Sequence, residues 1–158
     1  MPSSHKSPTL LVALLLTIPA APPAISEPAP YCADLKHIAN LAMTRERFSS
    51  IIGKPRQGNF RDTTMPLTGW KDCVFYGTNA YTCDSRVFAS ESAAAQAQKE
   101  MVPQILSCLE TWTEATQQSS PTYLALHPRL GPASITLSLD KDDDGKDIVR
   151  FTMFLRRP

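Results

Sequence analysis

The sequence predicts an α+β domain: an antiparallel sheet of about five strands, in the order α-β-β-α-β-β-β, with two helices packed on one face and two disulfides. Three observations predict it. Two segments carry apolar residues at helical spacing and flank an aromatic, β-branched hairpin. The last part of the chain alternates apolar and polar residues in three short runs. Four cysteines, an even number, stand at Cys32, Cys73, Cys83 and Cys108.

The N-terminus has the layout of a secretory leader. Lys6 precedes an apolar run from Leu10 to Ile18, and Pro19, Pro22 and Pro23 break it. Ala24-Ile25-Ser26 offers small residues for cleavage, so residues 1–26 are read as a signal peptide. The run is shorter than the roughly 20 residues that a bilayer span needs. The mature chain of 132 residues then divides into a flexible lead-in at 27–31 and one domain over 32–158. Removing Lys6 leaves 15 basic and 15 acidic residues, a balance that argues against nucleic acid as the partner. The leader places the chain in a periplasm or outside the cell, where thiols oxidise.

The first helix is read over 32–53. Leu35, Ile38, Ala42, Phe48 and Ile52 keep near-helical spacing, with Arg45 the polar exception, and Gly53 with Pro55 stops it. Residues 54–69 hold two prolines, two glycines and no sustained period, so they are read as a long loop. The hairpin over 70–88 has Gly77-Thr78-Asn79 as its turn, and a three-residue loop there sets Cys73 opposite Cys83. The second helix is read over 90–115, capped by Ser90 or Ser92, with a kink or break expected near Pro103. Runs at 121–127, 133–140 and 147–157 are three strands of a meander.

The cysteine gaps suit neither zinc nor a redox Cys-x-x-Cys motif, which leaves structural bridges. The second helix runs back along the strand that precedes it, so Cys108 comes level with Cys73 and Cys83. This geometry predicts that each strand cysteine bonds a helix cysteine, one to Cys32 and one to Cys108.

The stretch Asp140-Lys141-Asp142-Asp143-Asp144-Gly145 matches the start of a calcium loop, but position eight is Asp147 and position twelve is Phe151. Strand-like flanks complete the case for a hairpin tip in place of a metal site. No nucleophile elbow, zinc-protease motif, phosphate loop or cofactor motif is present, and neither His37 nor His127 can be placed beside a nucleophile. The mature sequence therefore names no catalytic residue, metal or cofactor.

The remaining lead is the segment from Lys36 to Lys71, which holds seven basic residues against Glu46 and Asp62. Within it, Arg56, Phe60, Arg61 and Trp70 are residue types that anchor interfaces. The function expected is a small partner-binding, inhibitor-like or accessory module without catalytic activity, taking a protein or an anionic ligand. The alternatives are a small secreted hydrolase and a structural subunit of an envelope complex.

Overall fold

A computed structural model describes residues 29–155. The leader read at 1–26, the start of the lead-in at 27 and 28, and the end of the last run at 156–158 lie outside them. Tyr31, from the lead-in, is packed: its hydroxyl donates to Gln104 Oε1 at 3.2 Å and its ring meets Trp70 edge-on.

The first helix, α1 (Cys32–Met43), buries Leu35, Ile38, Ala39 and Ala42. It stops ten residues before the expected end, because Thr44 takes an extended conformation and turns its N–H and hydroxyl onto the Leu41 carbonyl. Phe48 still reaches the core, but from a run of turns in which Arg47 adopts φ +54°.

The segment read as a loop contains two strands, β1 (Ile52–Pro55) and β2 (Phe60–Thr63). Each is four residues long, too short for an alternation to show through Gly53, Pro55 and Gly58. Gly53 has a specific role: a Cβ there would stand 3.0 Å from Asp62 Cβ and from the Asp62 carbonyl oxygen. Its missing side chain lets the two backbones close.

The hairpin forms as read, with β3 (Lys71–Tyr76) and β4 (Ala80–Asp84) joined by the three-residue turn. Helix α2 (Glu91–Cys108) is capped by the Ser90 hydroxyl, which accepts from the Ala93 N–H at 3.2 Å. Pro103 does not break it. That residue is exposed, so the carbonyl it leaves unbonded faces water. The helix ends at Cys108, and Trp112, read as its continuation, opens β5 (Trp112–Glu114). A 3-10 turn (Thr116–Gln118) leads to the expected meander: β6 (Tyr123–Pro128), β7 (Ala133–Lys141) and β8 (Asp147–Leu155).

The sheet therefore has eight antiparallel strands in the order β1-β2-β3-β4-β8-β7-β6-β5, where about five were expected. The added strands are β1, β2 and β5. One helix followed by a four-stranded meander occurs twice, and the two meanders meet where β4 pairs with β8. The halves share this order of elements without a repeat legible in their residues.

Both helices pack on the same face of β7 and β8, and α1 also packs on α2. Val149, Phe151, Met153 and Leu155 of β8 point to them, together with Cys83 and Tyr81 of β4 and Ile135 and Leu137 of β7. Phe48, Phe75 and Tyr81 stack mutually in this core, with centroids 5.3 to 6.5 Å apart. Gln98 of α2 is also fully buried and donates to the Leu137 carbonyl at 2.7 Å.

The disulfides are Cys32–Cys108 and Cys73–Cys83, which corrects the expected helix-to-strand pairing. Cys32 opens α1 and Cys108 closes α2, so the packing of the two helices on each other brings these ends together. In the hairpin, Asp72 and Cys73 together oppose Cys83 in a β-bulge, with Asp72 at φ +45°. The two cysteine Cα atoms lie 4.1 Å apart across this bulge. Helix α2 packs over β7 and β8 rather than along β4, and Cys108 meets the neighbouring helix rather than a strand. Two disulfides fit an oxidising environment.

Candidate binding groove

With the helices on one face, the alternate residues of β2, β3, β4 and β8 point the other way. Their register lays them in rows across the sheet. Phe60, Tyr76, Ala80 and Phe154 form one row; Asp62, Val74, Thr82 and Thr152 form the next; Asp84 and Arg150 belong to the third. Small side chains in the middle and larger ones at the ends leave a groove of about 790 Å³. Its floor is Val74, Ala80, Thr82 and Thr152; Arg56, Gln57, Phe60 and Tyr76 stand at one end and Asp72, Asp84, Arg150 and Asp143 at the other. On the far half of this face Ala125, Ser134 and Thr136 are buried and the 3-10 turn packs on β6, so the groove is confined to the near half.

Two aromatic rings are unusually open. Phe60 is 44% and Tyr76 54% exposed, and their centroids lie 5.4 Å apart in an edge-to-face pair. A folded chain gains nothing from leaving such surface wet, which makes it a candidate contact. The hairpin that carries Tyr76 is cross-linked by Cys73–Cys83, so this ring sits on a stiff support.

The two arginines are already engaged. Arg56 pairs with Asp62 through its Nε. Arg150 forks onto Asp84, donating from Nε at 2.7 Å and from Nη2 at 3.1 Å, and its Nη1 pairs with Asp140. The hydrogen bonds to Asp84 raise the Arg150 guanidinium above its ordinary value, so it stays charged throughout. Thr82 and Thr152 share a hydroxyl–hydroxyl bond of 3.1 Å on the floor.

The acidic stretch forms the β7–β8 turn. Asp142 accepts from the N–H groups of Asp144 at 3.0 Å and Lys146 at 2.8 Å, and Gly145 supplies φ +75°. Among the described residues no group of three or more His, Cys, Asp or Glu side chains could hold a metal ion. No described helix is long and apolar enough to cross a membrane.

Of the four residues read as partner-binding, the fold brings Arg56 and Phe60 into the groove and sends Arg61 and Trp70 elsewhere. Arg61 alternates to the opposite face of β2 and donates to the Gly53 carbonyl at 3.2 Å. Trp70 is half-buried between Tyr31 and Phe151, with centroids 6.4 and 5.6 Å away. The residues missed were Tyr76, Asp72, Asp84, Arg150 and Asp143. Alternation in the hairpin and in the last strand marked their wet side, but only the β4–β8 pairing puts them side by side. His37 is exposed on α1, whereas His127 is half-buried on β6 with Nδ1 buried and unpartnered.

A second, smaller cleft of about 460 Å³ lies between α1 and the chain leaving α2, with Lys36, Asn40, Glu110 and Trp112 among its walls. Comparison with protein-family models, curated proteins and solved structures gives no match.

Proposed function

We propose that the chain is an exported binding module that captures a protein partner on the helix-free face of its sheet. The observation that carries this reading is the exposed Phe60–Tyr76 pair at the mouth of a groove mounted on a disulfide-tied hairpin. Large rings held rigidly lose little entropy on docking and bury much area, which is how interface anchors work. A protein is favoured over a small anion because both groove arginines are matched by carboxylates, and an anion would have to displace them. Periplasmic or extracellular placement belongs to the same proposal and rests on the leader and the bridges.

The test is affinity capture from the exported fraction with the native chain and with a Phe60→Ala/Tyr76→Ala variant. Both side chains are exposed, so the melting temperature holds while capture falls at least tenfold. Equal capture by both proteins refutes the reading. Arg61→Ala, on the opposite face, serves as the control that leaves capture unchanged.

A further inference from the structure

The charge balance of the groove says what kind of partner fits it. Arg56 is neutralised by Asp62, and Arg150 by Asp84, with Asp140 as a further partner. Asp72 and Asp143 line the same groove, and neither has an ion pair within 4 Å among the described residues. Counting these seven groups together with Lys71, which stands beside Asp84 in the same row, five carboxylates face three cations, so the groove and its rim carry an excess of negative charge. That excess is concentrated at one end. Lys71 at the bulge pairs in register with Asp84, and Asp84 with Arg150, so Asp72 lies at the Arg150 end, where Asp143 also acts on Arg150. The opposite end is the aromatic pair. This polarity is the reverse of the basic segment read from the sequence: Arg56 is paired with Asp62, Arg61 points to the other face, Lys36 lies at the second cleft, and Lys71 alone stands in the row of Asp84.

We infer that the groove takes a protein segment presenting a lysine or arginine, with the cation at the Asp72–Asp143 end and an apolar neighbour against Phe60 and Tyr76. The inference deepens the binding proposal and rests on it. An exposed carboxylate covered by a partner that brings no cation loses its water and gains nothing in return, so an acidic or purely apolar segment is disfavoured at that end. A cation arriving there restores the pairing that the two arginines already enjoy. Arg150, clamped by Asp84 and Asp140, is held in place and does not need to move.

The test is to pan a random dodecapeptide library on the full chain with both bridges formed, and to map the selected peptides by amide chemical shifts. Peptides that map to the groove are expected to be enriched in lysine and arginine. They are expected to bind an Asp72→Asn/Asp143→Asn variant about tenfold more weakly at low salt, with most of that difference erased at high salt. Asparagine tolerates the φ of +45° at position 72, and both side chains are exposed, so the variant keeps the fold. Groove-bound peptides with no basic enrichment, or with equal affinity for the variant, overturn the charge inference and leave the docking reading standing. Selected peptides that all map elsewhere overturn both.

Discussion

The two disulfides are predicted to differ in what they contribute, and the difference follows from chain separation alone. Cys32–Cys108 closes a loop of sequence separation 76; Cys73–Cys83 closes one of 10. If a bridge acts by restricting the unfolded chain, the larger loop contributes about 4.5 kcal/mol and the smaller about 2.7 kcal/mol at 25 °C. For about 130 ordered residues the unfolding entropy near the midpoint is about 0.27 kcal/mol/K, so the losses correspond to about 17 °C and 10 °C. The perturbations are Cys32→Ala/Cys108→Ala and Cys73→Ala/Cys83→Ala. Alanine avoids burying a hydroxyl at sites that are at most 9% exposed. Equilibrium urea unfolding reports the change, with Trp70 and Trp112 as fluorescent probes inside the fold. Together the losses reach about 7 kcal/mol, close to the lower end of the total stability that a domain of this size has. Reduction of both bridges should therefore remove a large part of the stability and lower the urea midpoint sharply. If the long-range pair costs no more than the hairpin pair, the entropy argument is wrong and local packing around the sulfurs governs.

Three further outcomes are expected. Burial pushes the Tyr81 phenol up, and its hydroxyl donates to the Met65 carbonyl at 3.0 Å; the unfolded chain ionises this group from about pH 10 while the folded chain does not, so stability falls above pH 10 by up to about 1.4 kcal/mol per pH unit. Tyr81→Phe should flatten that alkaline slope in urea titrations at pH 9 to 11, and an unchanged slope would refute the assignment. Gly53→Ala should cost about 1–3 kcal/mol and speed hydrogen exchange in β1 and β2, because its Cβ would press on the Asp62 backbone; exchange rates equal to those of the native chain would show that the contact relaxes freely. Asp142→Ala removes the acceptor for two turn N–H groups and should cost about 1 kcal/mol, while millimolar calcium leaves the native melting temperature unchanged; a rise of several degrees with calcium would show that the turn is a metal site.

What could be read from the sequence follows element length. The nine-residue strands β7 and β8 were both legible as strands, and β8 with its faces; on β7 the side that alternation marks as wet is buried at Ser134 and Thr136. The hairpin was legible from its aromatic, β-branched strands and the turn residues Gly77-Thr78-Asn79, while the choice between a three-residue and a two-residue loop, and so the register, comes from the structure. Strands β1, β2 and β5 have four, four and three residues, and their pairing is imposed by the neighbouring strand rather than by their own pattern. Trp112 shows the ambiguity well: it falls on the helical stripe of α2 by spacing, yet it is buried as a strand residue opposite Pro128. The disulfide pairing was missed for a related reason. The expected path of α2 along the strand before it does not hold, since the helix packs over β7 and β8, and the partner of Cys108 is set by helix–helix packing, which no residue spacing within either helix reveals.

The groove depends on the least legible feature, the pairing of β4 with β8. That junction joins the two meanders, and the Asp84–Arg150 pair bridges it with residues 66 positions apart. It also explains how so broad an open face avoids sticking to other sheets. Its middle strands present Ala80, Thr82 and Thr152 with Val74 buried beside them, several of its charged residues are paired across strands, and its outer strand β1 ends in Pro55, which cannot extend a hydrogen-bonded ladder. Against that background Phe60 and Tyr76 are the exception. They sit on neighbouring strands, more exposed than Tyr123 elsewhere on this face, and Tyr76 is carried by the cross-linked hairpin. Under the proposed function these two rings are the contact, and their place on neighbouring strands beside the cross-linked hairpin is what would hold them ready for it.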